Sequence, residues 1–483
     1  MVSGLLLRLW CVGHLALVIG DSLMYGDIAK NLLQHGVYGF SQGSTPPNAF
    51  GISPTLIRLP GYPFFLAACF RLFGMEHYNA VLYTQAGIDL VTCWLAGDLA
   101  GRLFGSRAAL AVLWIAAMCP FTASYVATAM TETLVLASIA LAFYSFARWQ
   151  SAGRRYNRWV WITAAALGCS ILLRPEQIVF AAAVLAAMLW TSLAHRAIAV
   201  PPFRSASPVL IAAFCVILPL APWTIRNWRT LHIFQPLAPK YANDAGELAP
   251  LGFARWYRTW AIEFVSTESV YWNYSGERIA FSDIPVRAFD AGLPAASQDL
   301  RNRTAALLAN YNATTGHSAD VSPAIDARFE ALGRERISEH PVLYYFALPI
   351  ARVLDMTLRP RTEMMDVPLE WWRWSEHRAQ SSFAAAYAAL NLVYIAVGIA
   401  GFCAWRRRAW LAPYPQHTGR RGFLELAIAM AASVVLRAAL LLTIDNSEPR
   451  YTLEFFPVLF VWTGALFAAP SQTPSGRAAR DNE

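Results

Sequence analysis

Apolar residues in this 483-residue chain run in long blocks that polar residues interrupt only briefly. Each block is long enough to cross a hydrocarbon layer of about 30 Å as a helix. Read against the charged loops, the blocks predict about ten spans, near 4–20, 79–100, 108–122, 131–148, 159–173, 177–194, 208–223, 383–404, 422–443 and 452–469. Two further apolar pieces, about 62–74 and 342–358, do not fit as crossings without inverting neighbouring loops, and they read as interfacial or re-entrant helices. Two polar stretches remain, 21–61 and 224–382. The second is rich in Trp and Tyr and contains helical patches such as 323–339.

Charge orients this pattern. Only 14% of residues are charged and 56% are hydrophobic, against about 25% charged in a soluble domain. The net charge of +8 comes from short loops: Arg102 and Arg107; Arg148, Arg154, Arg155 and Arg158; His195, Arg196 and Arg204; Arg406, Arg407, Arg408, Arg420 and Arg421. Starting inside and alternating, every one of these loops falls on the inner side, as does the tail with Arg477 and Arg480. The excess is therefore a positive-inside signature and not a nucleic-acid groove. No small-residue cleavage site follows the first apolar run, so it reads as a retained helix. The seven cysteines lie in or beside apolar runs without a CxxC and read as small core hydrophobes. Three Asn-x-Ser/Thr sequons (Asn273, Asn302, Asn312) fall outside, at a number chance explains.

With the topology in place, the charges that do not belong to inner loops gather at the outer helix ends. Asp21 follows span 1, and Arg58 precedes the 62–74 helix. Glu132 starts span 4, Arg174 and Glu176 occupy the turn after span 5, and Arg226 ends span 7. Asp445, Glu448 and Arg450 lie between spans 9 and 10. Each alone fits a structural reading: a cap for Asp21, headgroup contact for Arg58, a dipole-favoured first-turn acid for Glu132, and a pair across the turn for Arg174 and Glu176. Ionisable groups at membrane depth are costly and usually functional. Carboxylates and arginines meeting at one level suit binding of a phosphate ester with acid–base work beside it.

Six blocks in order are similar to the bacterial lipid-linked-sugar glycosyltransferases of the GT-C fold, the enzymes related to protein O-mannosyltransferases and to the aminoarabinose (lipid A) transferase. The first block comprises Asp21, Tyr25, Ile28, Ala29, Asn31, Leu32, Leu33, Gly36 and Tyr38. The second is R-x-P-G-Y-P (Arg58, Pro60, Gly61, Tyr62, Pro63) with Leu72, Phe73 and Gly74 following. T-E-T-L at 131–134, L-R-P-E at 173–176, P-W-T-I-R-N at 222–227 and E-P-R-Y at 448–451 complete the set. The resemblance covers roughly 1–230 and 440–470. It implies an all-α polytopic membrane protein, a GT-C bundle of about ten transmembrane helices with an extracytoplasmic loop domain.

The same resemblance implies a transferase that moves a hexosyl or pentosyl group from a polyprenyl-phosphate donor to an extracytoplasmic hydroxyl of a glycan, lipid or protein, with inversion. The site would face outward from the plasma (inner) membrane. Asp21 matches the general base, Glu132 the second catalytic acid residue, and Arg58 the donor-phosphate ligand. Arg226 and Arg450 join Arg58 as phosphate ligands, and Asp27, Tyr25, Tyr62, Arg174, Glu176 and Glu448 support the site. The aminoarabinose transferase has a metal-binding Glu beside its phosphate-binding basic residue. Here Ile57 stands there, so no metal ligand is assigned and no cofactor is certain, a divalent cation being left open. The implied layout is a catalytic module at 1–230 with its first loop at 21–61, a loop domain with interfacial helices at 231–382, C-terminal spans at 383–470 and a cytoplasmic tail at 471–483. The 253–274 aromatics suit sugar stacking or an interfacial belt. A transporter or flippase of lipid-linked intermediates is the alternative. It predicts inverted repeats and midplane charges, and neither is evident. A polymerase or ligase of O-antigen type would have different blocks, and a scaffold would leave the ordered blocks without a reason.

Overall fold

The computed structural model describes residues 1–43, 45–152, 156–194, 201–244, 246–274, 276–314, 322–411 and 422–468. The tail 471–483 with Arg477 and Arg480, and the loop residues Arg154, Arg155, His195, Arg196, Arg420 and Arg421, lie outside the described residues.

The described residues are mostly helical. Helix α1 (Val2–Leu15) is followed by α2 (Asp21–His35) and a two-residue antiparallel ribbon, β1 (Gly39–Phe40) with β2 (Ser53–Pro54), in which Gly39 faces Pro54. Next come α3 (Gly61–Phe73), α4 (Tyr78–Phe104), α5 (Ser106–Ala117), short α6 (Pro120–Ser124), α7 (Glu132–Ser151), α8 (Arg158–Leu173), α9 (Gln177–Ala194), α10 (Pro202–Ile217) and α11 (Leu220–Leu231). The segment before the last spans holds α12 (Leu251–Arg258), one-turn α13 (Phe264–Ser266), α14 (Pro294–Thr314), α15 (Pro323–Glu339) and α16 (Leu348–Leu358). The chain closes with α17 (Arg378–Leu411), α18 (Gly422–Leu441) and α19 (Phe456–Thr463), the last flanked by 3-10 turns.

Each expected span coincides with helix, but the segments are less uniform than hydropathy implied. By length and composition, four stretches qualify singly: Gln177–Ala194, Pro202–Leu231, Arg378–Arg407 and Leu424–Leu441. The number rises to six if bent pairs count as one each. The others are short, as α1, α3 and α8 are, or carry charge, as α4 does with Asp89, Asp98 and Arg102. The span expected at 108–122 bends by 44° where Pro120 interrupts it. The 342–358 piece is helical and turns by 104° from Pro323–Glu339.

Two boundaries differ from expectation for local reasons. The first helix stops at Leu15. Leu17 then bridges to Thr128 in extended form, and Gly20 takes a left-handed φ of 52° that lets α2 start at Asp21. Arg226 does not end its helix, because no breaker follows until His232 adopts φ 57°.

Helices α1, α4, α5, α7, α8, α9, α18 and α19 share one apolar core that includes the buried cysteines Cys11, Cys69, Cys93 and Cys119, whereas Cys169 and Cys403 are exposed on the bundle surface. One ion pair is sealed inside it. Arg8 and Asp89 are 0% and 1% exposed, with the guanidinium 2.5 Å from the carboxylate and also donating to the carbonyls of Gly4 and Ala117.

A separate core lies in the segment between the spans, where Phe253, Trp256, Tyr257, Trp260, Tyr274, Tyr311 and Phe329 pack together. The first four of these are at most 1% exposed. The aromatics expected to stack on sugar or line an interface are therefore mostly interior residues of a small helical unit, although Trp272 is exposed. Asp326 ties α15 to α12 by accepting the N–H groups of Gly252 and Phe253, both at 2.9 Å, which satisfies donors that a helix start leaves open.

Candidate active site

The first loop is closed by its own polar groups. Asp27, one and a half turns into α2, accepts from Ser41 N–H (2.7 Å) and Oγ (2.6 Å), and Asn31 donates to the Gly39 carbonyl (3.0 Å). Together these bonds fold the β1 edge back onto α2. From α11, Arg226 donates to the carbonyls of Thr55 (2.6 Å) and Tyr38 and sits 5.3 Å from the rings of Tyr38 and Trp223. Arg226, expected as a phosphate ligand, thus clamps the strand leading to Arg58. Asp27 lines a groove of about 600 Å³ together with Lys30, Phe40, Ile57, Asp244 and Glu247, and Asp21 is not part of that lining.

The P-G-Y-P block has a packing reason. A Cβ on Gly61 would lie 2.6 Å from the backbone carbonyl of Leu172 and 2.9 Å from Leu173 N, so only glycine lets the start of α3 meet the end of α8. Tyr62 is fully buried and donates to Gln85 Oε1 (2.7 Å), while Gln85 donates to the carbonyls of Val126 and Thr128. Tyr62 therefore braces the floor and does not face an opening. Gly61→Ala should force α3 and α8 apart, at about 1–3 kcal/mol for such overpacking. A lowered melting temperature together with reduced activity is the expected result. An unchanged melt would refute the close-packing account.

These braces bring charges from α2, α7 and α18, and from the turns before α3, after α8 and before α19, into one network. Asp21 Oδ1 accepts from Arg58 Nη2 at 2.6 Å, and Asp21 Oδ2 accepts from both Nη atoms of Arg450 at 3.3 Å. Arg450 also bonds Glu448 and approaches Glu132 Oε1 to 3.7 Å. Arg174 joins Glu132 (3.4 Å), Glu454 (3.1 Å) and Glu176 (3.6 Å). Arg437 closes the far side on Glu454 (2.9 Å) and Glu176 (3.4 Å). Tyr25 lies over this network with its ring 5.6 Å from the Arg58 guanidinium and edge-on to Tyr62. Glu448 is held by Asn446 (3.1 Å) and the Tyr451 hydroxyl (3.2 Å).

Of the residues singled out from sequence, Asp21, Tyr25, Arg58, Glu132, Arg174, Glu176, Glu448 and Arg450 converge. Arg226, Asp27 and Tyr62 do not enter the network. Sequence reasoning missed Glu454, Arg437 and Gln177, the last donating to Glu454 at 2.6 Å. It also missed Arg361, which holds the 449–452 turn through the Pro449 carbonyl (2.9 Å) and Thr452. A charge inside an apolar run, Arg437 in VVLRAALL, was the signal available.

Burial alone would raise the Asp21 carboxyl, but Arg58 and Arg450 overcome it and hold the group below its ordinary value. Glu132 is 2% exposed, and its Oε2, like Arg58 Nε, is buried without a hydrogen-bond partner. Gln177 Oε1 is unpartnered as well. Among the described residues no three His, Cys, Asp or Glu side chains converge to hold a metal ion. Both Asp21 oxygens are engaged by arginine, and Ile57 flanks Arg58.

Comparison with known proteins bears on the class. Residues 54–224 match the model of the dolichyl-phosphate-mannose-protein mannosyltransferase family. Over that stretch the chain is similar to these lipid-linked-sugar glycosyltransferases, in agreement with the ordered blocks. Among solved structures, an oligosaccharyltransferase from Archaeoglobus fulgidus tethered to an acceptor peptide aligns at 13% identity and TM-score 0.47, over 96% of this chain and 49% of that one. The archaeal oligosaccharyltransferase AglB from the same organism, in complex with an inhibitory peptide and a dolichol-phosphate, aligns at 13% identity and TM-score 0.44 with the same coverage. ArnT from Cupriavidus metallidurans in the apo state aligns at 14% identity and TM-score 0.38, over 92% of this chain and 76% of that one. The chain thus spans about half the length of the oligosaccharyltransferases it matches. No curated protein matches it.

Proposed function

We propose that this protein is a multi-pass membrane glycosyltransferase that moves a sugar from a polyprenyl-phosphate donor to an acceptor hydroxyl. The observation that carries the reading is the single network joining Asp21, Arg58, Glu132, Arg174 and Arg450, residues from five of the six ordered blocks. The family match over 54–224, which includes Arg58, Glu132 and Arg174, supports a dolichyl-phosphate-type donor. The loop charges support a plasma (inner) membrane protein with this network on the extracytoplasmic side. We read 1–230 as the catalytic module, 231–382 as the acceptor-facing segment, 383–470 as closing spans and 471–483 as a cytoplasmic tail.

In this reading the acceptor hydroxyl hydrogen-bonds the Asp21 carboxylate. Asp21 takes its proton as the oxygen attacks the anomeric carbon, and the bond from that carbon to the phosphate oxygen breaks on the opposite face. The anomeric centre inverts. Polyprenyl phosphate leaves with the electron pair, its charge met by Arg58 and Arg450, so no acid is needed on that side. Glu132 Oε2 is placed to accept a sugar hydroxyl and also keeps Arg174 and Arg450 in position. Arg226 positions the strand that carries Arg58. As Arg58 and Arg450 turn towards the phosphate, Asp21 loses partners and gains basicity when the proton must move.

The test uses purified protein in detergent, without vesicles, and a labelled polyprenyl-phosphate sugar. Free polyprenyl phosphate with inverted, labelled acceptor is the expected product. An intact donor across a panel of envelope glycans, lipids and proteins, together with vesicle-dependent movement of that donor, would favour the transporter instead.

A further inference from the structure

The network around Asp21 rests charge-paired, its five carboxylates (Asp21, Glu132, Glu176, Glu448, Glu454) set against four guanidiniums (Arg58, Arg174, Arg437, Arg450). The opposite balance holds a few residues away, where the 445–450 turn meets the segment between the spans. Asp445 there faces Arg258 (3.4 Å) and Lys240 (3.6 Å). Arg352, 1% exposed, donates to the carbonyls of Arg258 and Ala261, both at 3.2 Å. Among the described residues it pairs with no carboxylate.

Two of these cations thus share one carboxylate and Arg352 has none, and their donors are incompletely used. Arg352 Nε and Nη2 and Arg258 Nε are buried without hydrogen-bond partners. A buried guanidinium without a counter-charge is among the most costly arrangements in a protein, and a planar fork of unused N–H donors matches phosphate oxygens. Lys240, with its side chain 56% exposed, brings this cluster to the solvent surface. The turn is gripped from the same segment, since Ser447 N donates to Thr267 Oγ1 (3.1 Å) and Ser447 Oγ to the Ile262 carbonyl (2.5 Å). Cations and network are therefore rigidly joined through residues 445–450.

We propose that Lys240, Arg258 and Arg352 form a phosphate-ester subsite beside the Asp21 network. The proposal rests on the glycosyl-transfer reading for the identity of its ligand, either the phosphate of the prenyl donor or one on the acceptor. Binding itself does not depend on that reading.

The test measures binding of undecaprenyl phosphate, of uncharged undecaprenol and of a phosphorylated glycolipid lacking a prenyl chain, to full-length protein in zwitterionic nanodiscs. Arg258→Gln and Lys240→Gln should weaken one phosphorylated ligand about tenfold or more and leave undecaprenol unchanged. Inorganic phosphate should compete with that ligand on the wild type and not on the variants. Arg258→Lys should recover part of the affinity. Loss confined to undecaprenyl phosphate places the donor here, and loss confined to the glycolipid places the acceptor here. Wild-type affinity for both in well-folded Lys240→Gln and Arg258→Gln proteins overturns the subsite. If binding is lost as expected but no sugar moves, the transfer reading fails and the subsite stands. If sugar moves with unaltered KM for donor and acceptor, the reverse holds.

Discussion

Asp21→Asn is expected to lower the turnover of labelled donor by about 10³-fold, the scale of a lost general base. The amide keeps an oxygen for Arg58 or Arg450 but cannot take a proton. Both arginines retain some solvent contact, with side chains 23% and 19% exposed, so the variant should fold and enter the membrane normally. Donor KM should change far less than kcat, since Arg58 and Arg450, which meet the phosphate, are both retained. The pH profile adds a check with a definite sign. Arg58 and Arg450 hold the Asp21 carboxyl below its ordinary value. The wild type should thus keep its base ionised through the mildly acidic range, its rate failing only below the usual carboxylate range. The ion pairs' contribution to stability follows the same direction, present at neutral pH and lost as acidification passes the lowered value. A full-rate Asp21→Asn enzyme, or an acid limb centred near neutrality, would remove Asp21 from the role of base.

The largest stability effect is expected far from the site. Arg8→Leu leaves Asp89 buried without its counter-charge, which typically costs about 3–5 kcal/mol. Asp89→Leu leaves the guanidinium in the same position. Either single variant should melt well below wild type or fail to accumulate. The paired variant Arg8→Met with Asp89→Leu should recover most of the loss, because an apolar pair of similar volume replaces both charges. Thermal melts of the three proteins in one detergent decide it. If the double variant is no better than the singles, the hydrogen bonds from Arg8 to the carbonyls of Gly4 and Ala117 matter more than the charge balance.

The two predictions mark the reach of sequence reading. Asp21, Arg58, Glu132, Arg174 and Arg450 were legible because charge at the end of an apolar run is conspicuous, and because their blocks follow a familiar order. Arg8, Asp89, Arg437 and Glu454 lay inside apolar runs in equally plain view. Each makes sense only opposite a partner 81 residues away for Arg8 and Asp89, or on another helix for Arg437 and Glu454. Arg226 failed in the other direction. It sits in a block beside a helix end like the rest, yet its helix continues to Leu231, and the continuation aims its guanidinium at the first loop. The aromatics of 253–274 show the same limit, for composition cannot tell a binding surface from the interior of a small helical unit.

The sequence alone determined the material: helices whose apolar runs demand a membrane, basic loops that set their direction, and a set of charges at one level. Those properties are additive along the chain, so they can be read one segment at a time. The tertiary structure decided which charges neutralise one another, which clamp a loop, and which buried donors stay unpaired. Ion pairing and desolvation depend on distances of a few ångströms between segments hundreds of residues apart, and only the packed bundle sets those distances.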